Sequence, residues 1–330
     1  MFHVVTGGAG SGKSSFSEDT ICRYYEECKT DGPTGNLIYI ATMIPYGDET
    51  MEKIRRHRSM RAKKGFSTLE CYTDLEHLTE SELFQSDNGK SCVLLECISN
   101  LTANEMYEPE GAGKYAAEKI LQGIEKLRKV CSCLVVVTNE VCSDSVRSSK
   151  EMELYKKALA EINRKMAEDA DIVTEVVYGI PVTIKMKESS YMGKEKEFTE
   201  KKTLYMVTGG AYQGKRKFAE KLYGNPQWED GGACPLEAIY TCEGIYHFEK
   251  YIRRMLEEGN EFEGLAKNIA QKNPGLIIVT DEIGYGLVPI DAFERRYREL
   301  TGRICTEVAA YSCRVDRVVC GVGMPLKGDR

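Results

Sequence analysis

A glycine-rich segment that occurs twice sets the strongest constraint on this chain. VTGGAGSGKSSFSE runs from Val5 to Glu18, and VTGGAYQGKRKFAE from Val207 to Glu220. The first copy fits G-x-x-x-x-G-K-[ST] at Gly7, Gly8, Ala9, Gly10, Ser11, Gly12, Lys13 and Ser14. In such a loop the backbone N–H groups wrap phosphate oxygens, the lysine reaches the β- and γ-phosphates, and the serine hydroxyl faces Mg²⁺. The flanks agree. An apolar run at residues 2–6 reads as a strand, and residues 15–27 can continue as a helix whose N-terminal dipole adds to the anion site. An ordinary Gly-rich strand-to-helix turn is the plainer alternative. Every motif position is satisfied directly after the first strand, which favours phosphate.

Two further pairs of segments recur in the same order. VVVTNEV from Val135 returns as IIVTDEI from Ile277, and VVYGI from Val176 as VVCGV from Val318, both at one common offset. Three ordered matches point to a tandem duplication of one unit. Between them, residues 186–202 are crowded with charge and nearly devoid of aliphatic side chains, the composition of a linker. The expected organisation is a first P-loop domain at 1–187, a charged linker at 188–202 and a second, degenerate P-loop domain at 203–330.

Within the first copy, apolar runs at residues 36–42, 93–98, 134–138 and 172–178 read as buried strands, with a closing segment at 181–185. Helices are expected at 48–61, at 114–130 with apolar positions 116, 117, 120, 121, 124 and 127, and at 152–166. Strands alternating with helices imply an α/β fold, P-loop NTPase-like (RecA-like), with a parallel sheet flanked by helices and tandemly duplicated. The second copy runs almost directly from its loop helix to residues 238–241, with no evident counterpart of the second strand or the helix after it.

A length of 330 residues suits about two domains. The formal charge of −6 argues against a broad nucleic-acid surface, and no apolar run approaches the roughly 20 residues of a membrane span. A cytoplasmic protein is expected. Thirteen cysteines lie scattered in apolar contexts such as Cys92, Cys97 and Cys320, without a C-x-x-C, so buried reduced thiols are expected over zinc or disulfides.

Phosphoryl transfer needs positioned phosphates and a divalent metal. Lys13 and Ser14 supply the first requirements. Glu96, at the end of the strand VLLE, is the candidate acid beside the metal, although a glutamate there also suits a satisfied structural carboxylate. In the helix at 48–61, His57 is flanked by Arg56 and Arg58, with Lys53 and Arg61 four residues to either side. Neighbouring cations keep an imidazole neutral and nucleophilic, and cations such as Arg58 suit nucleotide phosphates. From periodicity alone, a surface histidine in a solvated basic helix remains the plainer account. His3, His77 and His247 have no comparable setting and read as structural. In the second loop Arg216 replaces the hydroxyl residue, so the Mg²⁺ ligand is gone; Gly209, Gly214 and Lys215 leave room for a residual phosphate site.

These segments resemble the bifunctional adenosylcobinamide kinase/adenosylcobinamide-phosphate guanylyltransferases of cobalamin biosynthesis. The resemblance rests on VTGGAGSGKS, YIAT at Tyr39–Thr42, I-R-R-H-R at Ile54–Arg58, LLECIS at Leu94–Ser99, TNEV at Thr138–Val141, and residues 162–185. It implies a two-step enzyme: a nucleoside triphosphate, ATP or GTP, phosphorylates adenosylcobinamide, and GTP then transfers GMP to a histidine from which the cobinamide phosphate takes it. By position it implies Gly7–Ser14 as the nucleotide loop, Glu96 as the acidic strand end and His57 as the nucleotidylated histidine. Some relatives carry two adjacent histidines where this chain has Arg56-His57. The family segment N-E-V-G-x-G-I-V-P decays in the first copy after Val141 into Cys142-Ser143-Asp144. The second keeps it as Asp281–Pro289. Gly284–Pro289 either completes a surface between pseudo-equivalent subunits or is a plain strand-to-helix turn. A homo-oligomer and an intrachain pseudo-dimer are both compatible with the sequence. A kinase of another small metabolite, or a non-enzymatic nucleotide-binding module, is the alternative reading.

Overall fold

The computed structural model describes residues 1–30, 35–85, 91–141, 149–187 and 203–328; the segment 188–202 expected as a linker and Cys142-Ser143-Asp144 lie outside the described residues. Two compact units emerge. One holds Met1–Gly7 and Lys13–Glu175 with residues 183–187, and the other holds Gly8–Gly12, Val176–Val182 and residues 203–328.

The first sheet has seven strands, β1 (Phe2–Thr6), β2 (Leu37–Ala41), β3 (Ser67–Glu70), β4 (Ser91–Glu96), β5 (Cys131–Val137), β6 (Ile172–Val177) and β7 (Ile180–Met186), in the order β3-β2-β4-β5-β1-β6-β7. From β3 to β6 every pairing is parallel. Such a sheet must be covered on both faces, and its central strands are apolar without alternation: Val5, Ile38, Ile40, Val93, Leu94, Leu95 and Val135 are fully buried. The covering helices are α1 (Lys13–Thr30), α2 (Gly47–Arg61), α3 (Glu82–Gln85), α4 (Ile98–Tyr107), α5 (Ala116–Val130) and α6 (Lys150–Asp169). The 3.6-residue stripe expected on α5 is present, with Ala116, Ile120, Ile124 and Leu127 inward and Ala117 and Leu121 at its half-buried margin. Ser149 starts α6 by accepting the Met152 N–H at 3.2 Å.

The second sheet has six strands, β8 (Leu204–Thr208), β9 (Trp228–Asp230), β10 (Gly244–Tyr246), β11 (Ile277–Val279), β12 (Ser312–Val319) and β13 (Val322–Lys327), in the order β13-β12-β8-β11-β10-β9. Its helices are α7 (Lys215–Tyr223), α8 (Phe248–Glu257), α9 (Leu265–Lys272) and α10 (Ala292–Tyr311). Strand for strand this repeats the first sheet without β3, so the duplication read from sequence extends to topology. One expectation is corrected: β9, only three residues long, holds the place of β2. Residues 238–241 fall in and just beyond a 3₁₀ turn at Leu236–Tyr240, and no α-helix stands between β9 and β10, so α2 has no counterpart. Trp-Glu-Asp carries none of the apolar signal by which a buried strand is recognised.

The loop residues Gly8–Gly12 pack within the second unit. The Ala9 N–H donates to the Gly284 carbonyl at 2.8 Å, and the Thr306 hydroxyl to that of Gly10 at 3.1 Å. Gly10 has φ of 68°, and a Cβ on it would stand 2.6 Å from the Glu299 carbonyl oxygen, so glycine is required on two counts.

Twelve cysteines are free thiols among the described residues. Cys320 is exposed rather than buried, and Cys28, Cys92 and Cys133 bring their sulfurs within 4.8 Å of one another, a cluster that no short-range spacing announces. Among the described residues no helix is long and apolar enough to cross a membrane.

Candidate active site

Parallel strands deliver their C-terminal ends to one edge of the sheet, and β1 and β4 bring the first loop's lysine and serine to Glu96. Ser14 lies in the first turn of α1, and its hydroxyl donates to Glu96 Oε1 at 2.5 Å; the other carboxylate oxygen accepts from the Tyr39 hydroxyl at 3.0 Å. The contact with Tyr39 follows from register, since Tyr39 pairs with Leu94 and Ala41 with Glu96. Lys13 is only 8% exposed, and burial lowers its pKa to about 8 against the opposing pull of Cys97 and Glu96. Burial and the adjacent Glu96 carboxylate push the Tyr39 phenol far above its ordinary value, so it serves as a donor.

Thr42, the last residue of YIAT, fixes the chain beyond Glu96. Its hydroxyl donates to the Cys97 carbonyl at 2.9 Å and accepts the Cys97 N–H at 2.7 Å, while its own carbonyl accepts from Asn104 Nδ2 at 2.8 Å. Serine, asparagine and tyrosine continue the network, with Asn139 Nδ2 on Ser99 Oγ at 2.6 Å and the Tyr155 hydroxyl on the Ser99 carbonyl at 3.1 Å. Cys97 is half-buried rather than buried, and desolvation raises its thiol pKa, so it is no ready thiolate.

Above this floor lies a cavity of about 210 Å³ lined by Tyr39, Glu96, Ile54, Arg58 and Arg61 together with Met43 and Met51. Helix α2 therefore forms one wall. Arg58 donates from Nη2 to Glu70 Oε1 at 2.9 Å. The Arg61 guanidinium lies 3.4 Å from the centre of the Tyr39 ring, is 6% exposed, and has no hydrogen-bond partner for Nη1 among the described residues. His57 lies on α2, three residues after Ile54 and four before Arg61. Its side chain, with those of Lys53 and Arg56, lies outside the described residues.

The structure thus gathers Lys13, Ser14, Glu96 and Arg58 in one unit, together with Gly7 just after β1, while Gly8, Ala9, Gly10, Ser11 and Gly12 fall to the other. Gly7, Gly10 and Gly12 have φ of 148°, 68° and 89°. Sequence reasoning passed over Tyr39 and Thr42, which lie inside the YIAT segment, and named Arg61 only as one of several cations around His57; Arg61 shares the seven-residue spacing from Ile54 that turns both to one helix face. The remaining histidines separate. His3 is buried, bonded at 3.0 Å to the Tyr24 hydroxyl and 2.9 Å to that of Thr174, as a structural residue should be. His77 is exposed and pairs with Asp74 at 2.6 Å. His247 departs from its structural reading: it lines the cleft of the second loop and meets Asp230 at 3.1 Å.

The profile of the family described as "Cobinamide kinase / cobinamide phosphate guanyltransferase" matches residues 3–184 and again 247–326. The bifunctional adenosylcobalamin biosynthesis protein CobU of Salmonella typhimurium is 32% identical over 196 residues, 56% of this chain and 100% of that protein. Its Escherichia coli namesake is 31% identical with the same coverage. The bifunctional adenosylcobalamin biosynthesis protein CobP of Pseudomonas aeruginosa is 35% identical over 69 residues, 21% of this chain and 40% of its own.

Proposed function

Because this chain belongs to the cobinamide kinase / cobinamide phosphate guanyltransferase family, we propose that it phosphorylates adenosylcobinamide and then transfers GMP from GTP to adenosylcobinamide phosphate, through a guanylylated His57. The reading places catalysis in residues 1–187, makes 188–202 a linker and 203–330 a degenerate copy, and sets the enzyme in the cytoplasm. The observation that carries it is the convergence of Arg58, Arg61, Tyr39 and Glu96 on one cavity whose wall is the helix that bears His57.

In the kinase step the hydroxyl of the aminopropanol arm attacks the γ-phosphorus of ATP or GTP. The bond to the bridging oxygen breaks and the nucleoside diphosphate leaves. Lys13 and the loop N–H groups hold the phosphates, and the exposed edge of Glu96 is positioned by Tyr39. The Ser14 hydroxyl and the Glu96 carboxylate, 2.5 Å apart, are the hard oxygen pair that would hold Mg²⁺, which would supply positive charge against the triphosphate. In the transferase step a ring nitrogen of His57 attacks the α-phosphorus of GTP, forming a P–N bond as pyrophosphate departs. A phosphate oxygen of adenosylcobinamide phosphate then attacks the same phosphorus, the P–N bond breaks and the imidazole is restored. Arg61, with a buried N–H that has no partner among the described residues, and Arg58 are suited to charge on the transferred phosphoryl group. The two displacements spare the enzyme a direct encounter of two polyanions.

Incubation with GTP labelled at the α-phosphate is expected to give an acid-labile, base-stable protein adduct. His57→Ala abolishes it. A wild-type protein that stays unlabelled would remove the covalent step.

A further inference from the structure

The second loop has lost both of the oxygen groups that the first loop presents to a metal, and has lost them together. Arg216 follows Lys215 where Ser14 follows Lys13. The acid is replaced as well, and strand register reveals by what. In the first sheet Leu95 pairs with Val136 and Glu96 with Val137; in the second, Ile245 pairs with Ile278, the counterpart of Val136 at the offset shared by the repeat. Asp230 pairs with Tyr246 as Ala41 pairs with Glu96. Tyr246 therefore stands where Glu96 does.

The two replacements meet. The Arg216 guanidinium lies 4.7 Å from the centre of the Tyr246 ring and 5.7 Å from that of Trp228, with Nε held by Glu220 at 3.0 Å. Its terminal amino groups have no hydrogen-bond partner among the described residues. A serine facing a glutamate has become a fixed cation resting on an aromatic face. The change removes a metal's ligands and leaves a positive charge near the metal's place.

A cleft of about 490 Å³ opens here, lined by Gly214, Lys215, Arg216, Tyr246, His247 and Lys250. Gly214 keeps the left-handed backbone, φ 82°, that starts α7, so the N–H groups of that helix end face the cleft's rim. Lys215 is 7% exposed and bonds Asp281 Oδ1 at 2.6 Å and the Gly210 carbonyl at 2.6 Å. Lys250 forms no ion pair among the described residues. Three permanent cations thus share the cleft with one carboxylate, Asp281, and His247 is turned to Asp230.

We propose that this cleft is a metal-independent binding site for a diphosphate group, free or within a nucleotide, in which Arg216 takes the part that Mg²⁺ plays at a catalytic loop. Phosphate oxygens replace Asp281 as partners of Lys215, while the guanidinium and Lys250 take the rest of the charge. With no hydroxyl after the lysine, no acid at the Glu96 position, and Asp281 held by Lys215, the site binds without turnover. The proposal is independent of the chemistry assigned to the first loop.

The test is fluorescence titration of the full-length chain with N-methylanthraniloyl-ADP in excess EDTA, in wild type and in Lys13→Ala. Both are expected to bind one equivalent. Arg216→Glu should weaken binding at least tenfold with the circular dichroism and melting midpoint unchanged, and Arg216→Lys should restore part of it. Competition by pyrophosphate equal to that by ADP identifies a free diphosphate as sufficient, and competition by ADP and GDP alone identifies the nucleotide. Absence of binding in EDTA, loss of it in Lys13→Ala, or binding indifferent to Arg216→Glu overturns the site.

Discussion

His3 illustrates how a single side chain couples this fold to pH. It sits in β1 with both ring nitrogens satisfied, and burial, with Arg23 nearby, lowers its pKa from 6.5 to about 4. The folded protein therefore refuses a proton that the unfolded chain accepts between those values. Stability is fully present above 6.5 and is lost as pH falls through that window, by about 3 kcal/mol from this residue once pH 4 is passed. Urea denaturation at a series of pH values measures it. His3→Gln, which keeps hydrogen-bonding atoms without a titrating ring, should show a flatter profile between 6.5 and 4. At the site itself the legible residues were those fixed by local spacing: Lys13 and Ser14 are bound to the loop by covalent succession. Tyr39 was not legible, and Arg61 was legible only as one of several cations around His57, because a strand register and a cation set on a ring are not written in the sequence around them.

At the scale of elements, α2 is the one whose attachment matters most. It is a markedly polar helix, and Ile54 is the aliphatic residue it contributes to the cavity beside Glu96. Helices of this length owe their stability to packing rather than propensity. Ile54→Asp should loosen that wall, lowering GMP transfer at least tenfold while nucleotide binding at the loop persists, as separate transferase and binding assays would reveal. Should both fall equally, α2 would be shaping the loop rather than the transfer site. Element boundaries were read to within a few residues wherever apolar runs were long, as in β4 and α5. The edge strand β3, Ser67–Glu70, and the three-residue β9 and β10 escaped, since edge and very short strands carry no continuous apolar run and exist through their neighbours.

For the whole molecule, the duplication has a consequence at the first loop. Gly8–Gly12 packs within the second unit, where a Cβ on Gly302 would approach Gly10 Cα to 2.8 Å. Gly302→Val, far from any nucleotide motif in sequence, is therefore expected to weaken nucleotide binding by the first loop about tenfold or more through displaced backbone, measured by titration with Mg²⁺ and GTP. Unchanged affinity would mean the loop adapts. The sequence by itself determined the repeat, the parallel α/β architecture, the glycine-rich loop and the family, because glycines, apolar runs and helical periodicity are local demands of backbone geometry and solvent. Tertiary structure alone decided that Glu96 meets both Ser14 and Tyr39, that the loop of one repeat packs with residues of the other, and that Tyr246 inherits the place of Glu96. Those facts arise from pairing between strands distant in the chain, and a pairing register is an agreement between two segments that neither one contains.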